Sequence, residues 1–276
     1  MNNKFETNLS DIPGTMLITL YARAEETMLN KDDAFLKDEK ALEIYNKLNY
    51  DFSKFKKAKM SLVGCCIRAS LIDKEINDYI TENPGAVVLQ IGAGLDARYE
   101  RLGKPKVSHW YDLDLKESID LRRKFIEEGP NNSFIECSMF DYSWIDVVAA
   151  YNKPILIVAE GVFMYFERKE IKAFMNEIAC RLKNVTILFD MLAFAAVGHA
   201  KQHDAMRHYS KNAEFKWSEL DSKVMETWNG GIKVAKEYYM SDYDRGRYPL
   251  IARILYKLPF FYKKFNQRIV KLEINK

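Results

Sequence analysis

Three groups of residues in this chain have types and spacings suited to chemistry. The first is the loop Gly92-Ala93-Gly94, which follows the apolar run Ala86–Ile91 and leads into Leu95, Asp96 and a helix-compatible segment. Glycine at 92 and 94 opens backbone conformations closed to other residues and lets a ligand approach without meeting a side chain. The second is the pair Asp112 and Asp114 at the end of a later apolar run, with Asp114 twenty residues beyond Gly94. The third is His199, His203 and His208, three bases in one late segment.

The loop is not a dinucleotide fingerprint, because the third glycine of GxGxxG is absent and Arg98 follows Ala97. Asp96 bears more directly on the ligand. A carboxylate in the first turn of the following helix occupies the place where a phosphate would sit and already satisfies the helix dipole. A ligand with a ribose and a positive centre but no phosphate fits better, and S-adenosylmethionine has both. An acid at the second strand's end is placed to accept hydrogen bonds from ribose hydroxyls. Asp112 and Asp114 compete for that role, since strand alternation puts both on one face. The histidines are candidates for a general base, which a phenol acceptor needs and a carboxylate does not. His199 and His203, four apart and near Asp204, suggest a metal pair, but no further ligands follow with suitable spacing. No metal is expected.

The elements that position these groups are legible in the periodicity. Apolar residues at Leu17, Leu20, Tyr21 and Ala24, then at Leu42, Ile44, Tyr45 and Leu48, then at Val63, Ile67, Leu71 and Ile76, predict three amphipathic helices before Pro84-Gly85. From residue 86 the pattern becomes strand and helix in alternation. Strands are predicted at 86–91, 107–114, 133–137, 154–160 and 185–191, with helices over 117–127, 144–150 and 168–182 between them. Such alternation implies a parallel sheet covered on both faces, with the ligand site at the carboxyl ends of its strands. Two late strands, 232–240 and 268–275, are expected as an antiparallel addition to the sheet edge, with a helix over 248–257 between them that stops at Pro259. The expected division is an N-terminal helical cap over 1–85 and a cofactor-binding core over 86–276, with a lid insertion around 192–230.

Composition narrows the class. The net charge is +3 with acidic and basic residues interleaved, which argues against nucleic acid or an anionic membrane as partner. No apolar run reaches the roughly 18–20 residues of a membrane span, and MNNKFETNLSD lacks a signal-peptide core, so a cytoplasmic location is expected. Cys65, Cys66, Cys137 and Cys180 have no CxxC spacing and read as reduced thiols.

The runs LQIGAGLDARYERL, WYDLDLKESIDLRR and ILIVAEGVFMYF, with the earlier PGTMLITLYARAEET and SLVGCCIRASLIDKEI, resemble the leucine carboxyl methyltransferase family, and within it the polyketide-synthesis O-methyltransferases. The resemblance implies a class I methyltransferase fold, α/β and Rossmann-like, with a seven-stranded mostly parallel sheet, an antiparallel last strand and an N-terminal helical cap. It implies S-adenosylmethionine as cofactor and a small-molecule carboxylate or phenol as methyl acceptor; a protein carboxyl terminus, or cofactor binding without catalysis, are the alternatives. By the same resemblance Arg68 pairs with the methionine carboxylate, bidentately because guanidinium matches that planar anion. Gly92 and Gly94 line the cofactor, and Asp114 rather than Asp112 takes the ribose. Ser138 and Met139 stand beside the adenine, where the family commonly has an acid and an apolar residue. Glu160 faces the cofactor, and Tyr165 lies on the acceptor side with His203 as a candidate base. Arg23 and Glu25 match the family and bridge the N-terminal helices to the core. Met16, Tyr21, Phe163, Met164, Phe194 and Trp217 are candidates for an apolar acceptor pocket.

Overall fold

The computed structural model describes residues 5–6, 15–200 and 214–275. Three helices come first: α1 (Met16–Met28), α2 (Glu39–Lys47) and the long α3 (Lys59–Glu82). Asp38 caps α2 by accepting the Ala41 amide, the side-chain capping that stabilises a helix start. Leu17, Leu20 and Tyr21 of α1 pack with Ala41 and Ile44 of α2 and with Phe52 and Phe55 of the connection to α3. That cluster runs on to Ile119 and Phe134 of the sheet half, so the helices and the sheet share one apolar interior.

The sheet has seven strands: β1 (Val87–Ile91), β2 (His109–Asp114), β3 (Asn132–Glu136), β4 (Ile155–Ala159), β5 (Val185–Met191), β6 (Ile232–Tyr239) and β7 (Arg268–Ile274). Their order is β3-β2-β1-β4-β5-β7-β6. The first five pair in parallel, and β7 runs antiparallel to both β5 and β6. β1 and β4 are buried along their whole length, the continuous apolar run of a strand covered on both faces. One face packs on α6 (Ser143–Ala149) and α7 (Arg168–Arg181) through Trp144, Phe174 and Ile178; the other packs on α3 through Ile67, Ile72 and Ile76.

Two boundaries differ from the sequence reading. The helix after β2, α5 (Lys116–Arg122), ends well before residue 127, with Arg122 buried at its last position, while the short α4 (Arg98–Arg101) follows β1. Pro259 does not close the late helical segment; it opens a second helix. α8 (Leu250–Leu255) and α9 (Pro259–Phe265) follow one another across a three-residue connection, with Pro259 at a first-turn position that needs no amide donor. The two late strands do extend the sheet edge, with β7 between β5 and β6, so β6 is the outermost strand. Among the described residues no helix is long and apolar enough to cross a membrane.

Candidate active site

The carboxyl ends of β1, β2 and β4 converge on the glycine loop. The Gly92 and Ala93 amides both donate to the Leu113 carbonyl, at 2.7 and 3.2 Å, which ties the loop to β2. Gly92 has φ +65°, and a Cβ there would lie 2.4 Å from Val162 Cγ2; Gly94 has φ +49°, and a Cβ there would lie 3.1 Å from Met16 Cβ. The missing side chains thus make room for the protein's own walls, Val162 after β4 and Met16 of α1, as well as permitting the turn. Asp114 completes the loop. Its Oδ2 accepts the Gly94 amide at 2.7 Å and its Oδ1 the Leu115 amide at 2.7 Å. Desolvation outweighs these bonds and raises its pKa above the ordinary aspartate value.

Asp112, the rival in the sequence reading, does not reach this place. Its carboxylate is buried against Trp110 Nε1 (2.9 Å) and Arg122 Nη2 (2.5 Å). Arg122 Nη1 in turn donates to the carbonyls of Gly94 (3.0 Å) and Asp96 (2.9 Å). Asp112 therefore fixes the loop from behind, through Arg122. Two residues of strand separate the aspartates, but only Asp114 stands where the chain leaves the sheet.

Asp96 also differs from its sequence reading. The helix after the loop begins only at Arg98, and the Asp96 carboxylate meets Arg23, Arg98 and Arg101 instead of the helix dipole. Desolvation opposes its charge, but the three guanidinium groups win and hold it well below the usual carboxylate range. These contacts belong to one buried network. Arg98 binds Asp73 (2.7 Å) and Glu160; Arg101 binds Asp73 and Asp38 (both 2.7 Å); Arg23 binds Asp38 (3.0 Å). Arg68 closes the network by binding Glu160 (2.9 Å) and Asp190 (2.9 Å), and Asp190 also accepts the Gly161 amide and the Gln267 side chain. Four arginines face five carboxylates, leaving one negative charge in excess when all are ionised. Burial opposes the charge of Glu160 too, yet Arg98 and Arg68 keep its pKa below the ordinary glutamate value.

The network floors a cavity of about 1100 Å³, above the upper end of the ~300–1,000 Å³ typical of a single small-molecule site. Gly92, Gly94, Asp114, Ser138, Met139, Glu160, Arg68 and Tyr165 all line it, as does His199. Asp112 does not. His203 and His208, with Asp204, lie outside the described residues. Among the described residues no group of His, Cys, Asp and Glu could hold a metal ion. Of the apolar pocket candidates, Met16 and Met164 line the cavity, whereas Tyr21, Phe163 and Trp217 are buried in the core. Tyr165 is buried, and desolvation lifts its phenol to about 12. It is protonated at neutral pH, a donor and not a base. Arg68 donates from Nε to Glu160 and from Nη1 to Asp190, which leaves the two Nη2 hydrogens and the second on Nη1 for other acceptors.

Sequence reasoning missed Arg98, Arg101, Asp73 and Asp190. Only Asp190 carried a signal, an acid at the carboxyl end of a parallel strand. Arg23 was read as a bridge, and its contacts to Asp38, Asp96 and the Leu95 carbonyl are that bridge.

Comparison with known proteins decides the family, since residues 17–179 match leucine carboxyl methyltransferase. The chain belongs to the leucine carboxyl methyltransferase family. It is similar to the tetracenomycin polyketide synthesis O-methyltransferase of Streptomyces glaucescens, 27% identical over 234 residues, which cover 85% of each chain. It is also similar to an S-adenosyl-L-methionine-dependent methyltransferase of Gibberella zeae, 24% identical over 281 residues, 93% of this chain and 92% of that one. A crystal structure of a DUF574-family protein from Streptomyces avermitilis shares the fold, with a TM-score of 0.56 at 10% identity over 93% of this chain and 97% of that one. This leucine carboxyl methyltransferase family member is an S-adenosylmethionine-dependent methyltransferase of class I fold. The donor set fits that cofactor. S-adenosylmethionine carries a sulfonium and an ammonium against one carboxylate, a net single positive charge, and the buried network is one negative charge in excess.

Proposed function

We propose that the protein methylates an oxygen of a small molecule, a carboxylate or a phenol. The observation that carries this reading is the cavity, which at about 1100 Å³ lies above the ~300–1,000 Å³ typical of one small-molecule site and whose lining includes Met16, Met164, Tyr165 and Phe215. A concave, mostly apolar lining is what a small hydrophobic acceptor needs beside the cofactor.

In this reading Asp114 receives the ribose hydroxyls, Gly92 and Gly94 form the floor beneath them, and Ser138 with Met139 flanks the adenine. Arg68 and Glu160 hold the amino-acid end, Arg68 through Nη2 and Glu160 as the acceptor for an ammonium. When bound, the cofactor supplies an electrophilic methyl on a sulfonium leaving group. The protein's task is to hold the acceptor oxygen in line with that methyl and keep water out. Tyr165 keeps its proton and donates a hydrogen bond to an acceptor oxygen, orienting it. Glu160 is held ionised by two guanidinium groups and is a weak base. A carboxylate acceptor, already ionised, needs no base at all; a phenol would draw on His199 or His203. Cys65, Cys66, Cys137 and Cys180 form no disulfide, the state a reducing compartment maintains.

The test is methyl transfer from labelled S-adenosylmethionine to a panel of aromatic carboxylic acids, phenols and carboxyl-terminal peptides, read by mass spectrometry. Methyl esters or ethers of small acceptors are expected. Labelling of peptides alone would overturn the reading.

A further inference from the structure

The segment α8–α9 presents large apolar side chains to solvent. Leu250, Ile251, Ile254, Leu258, Phe260 and Phe265 are 67, 73, 54, 50, 61 and 42% exposed. Scattered exposed apolar residues are ordinary, but six on one contiguous segment mark an interaction site. The same segment is basic. Arg253, Lys257, Lys263 and Lys264 flank the apolar positions, and no acidic residue occurs between Asp244 and Glu273. Lys257 and Lys263 are exposed, and Lys264 lies over the Phe260 ring, 5.2 Å from its centre. The net charge of +3 is an average that hides this run.

We propose that the α8–α9 segment is a docking face for an anionic lipid surface. Apolar side chains beside lysines and arginines are what an interfacial segment needs: the apolar groups enter the headgroup boundary and the cations meet anionic headgroups. A protein partner of like area would favour fewer lysines at its centre, and a second copy of this chain would place the two basic runs against each other. The face also adjoins the site. Tyr256 and Phe265 of the segment line the cavity, and α9 packs on the Phe194–Ala196 turn that follows β5. Docking brings the cavity wall within about one helix diameter, roughly 10 Å, of the lipid. The inference does not depend on which oxygen is methylated.

Co-sedimentation of the whole protein with vesicles of phosphatidylcholine, with and without phosphatidylglycerol, tests it. Binding is expected to the mixed vesicles only and to weaken with added salt. Lys257→Gln with Lys263→Gln should lower it roughly 25-fold, about fivefold for each cation, and Ile251→Ser with Phe260→Ser should abolish it. S-adenosylmethionine binding by calorimetry, unchanged in all four substitutions, shows that the variants are folded. Failure of the wild type to bind, or equal binding to neutral vesicles, overturns the proposal. So does a dimer in sedimentation velocity that the apolar substitutions convert to monomer while vesicle binding stays absent, which would assign the face to a second copy.

Discussion

The Gly94 amide donates to the Asp114 carboxylate at 2.7 Å across twenty residues of sequence. The glycine loop and the acid proposed for the ribose are thus one unit: the backbone that shapes the floor also aims the carboxylate. Asp114→Asn should weaken S-adenosylmethionine binding at least tenfold. The amide's NH₂ group cannot accept the Gly94 or Leu115 hydrogen, and one acceptor for ribose is lost. Calorimetry measures the loss, and an unchanged affinity would remove Asp114 from the cofactor site.

Affinity should also depend on acidity. The folded pKa of Asp114 lies above the ordinary aspartate value of 3.8 because desolvation dominates. As pH falls it takes up a proton earlier than an unperturbed aspartate, so cofactor binding should begin to fail above pH 3.8. Binding measured across an acid series, with Asp114→Asn as the variant lacking this limb, checks the sign.

The charge network predicts a loss of stability in acid, from pKa shifts opposite in direction to that of Asp114. Asp96 and Glu160 have folded values below the ordinary 3.8 and 4.5 of aspartate and glutamate. Their stabilising contribution is complete above the unfolded values and is lost as pH falls through the depressed folded ones. Urea unfolding should show stability flat above about pH 5 and falling below pH 4.5.

Arg98→Ala leaves Asp73, Asp96 and Glu160 short of a partner in a buried place. A cost of about 3–5 kcal/mol is expected from urea unfolding, the range for breaking one side of a buried pair. Arg98→Lys should recover only part of it, since a single ammonium cannot reach three carboxylates with a fork.

Gly92→Ala meets two obstacles, φ +65° and a contact of 2.4 Å with Val162 Cγ2. Destabilisation of about 1–3 kcal/mol is expected. Adding Val162→Ala should relieve the contact but not the backbone strain, so thermal unfolding should show partial recovery. Full recovery would mean that the positive φ costs nothing.

Tyr165→Phe removes a donor whose phenol burial raises to about 12. Acceptor KM should rise several-fold while the pH–rate profile keeps its shape near neutrality, because Tyr165 does not titrate there. A lost basic limb in the variant would show that the phenol acts as a base after all.

The alternation of strands and helices was legible because it is local. Apolar period and breaker residues set β1 to β5 within a residue or two, and Val185–Met191 to the residue. The glycine loop, the acid after it and the family resemblance pointed to the cofactor for the same reason, as short runs of neighbouring residues. The two helices around Pro259 were misjudged because a proline both ends and begins helices, and the chain alone does not say which.

The charges were different. Arg68 meets Asp190 across 122 residues and Glu160 across 92, while Arg101 meets Asp38 across 63. No periodicity encodes such pairs, because each is created when separate elements are stacked. Asp112 and Asp114 shared every local property, and only the burial of Arg122 behind the sheet set one to hold the loop and the other to face the cavity. By itself the sequence determined the order of strands and helices along the chain and the glycine loop proposed to receive the cofactor, through contacts between near neighbours. Tertiary structure alone decided which carboxylate each guanidinium neutralises and which side chains reach the cavity, because those depend on distances between elements that the chain does not keep close.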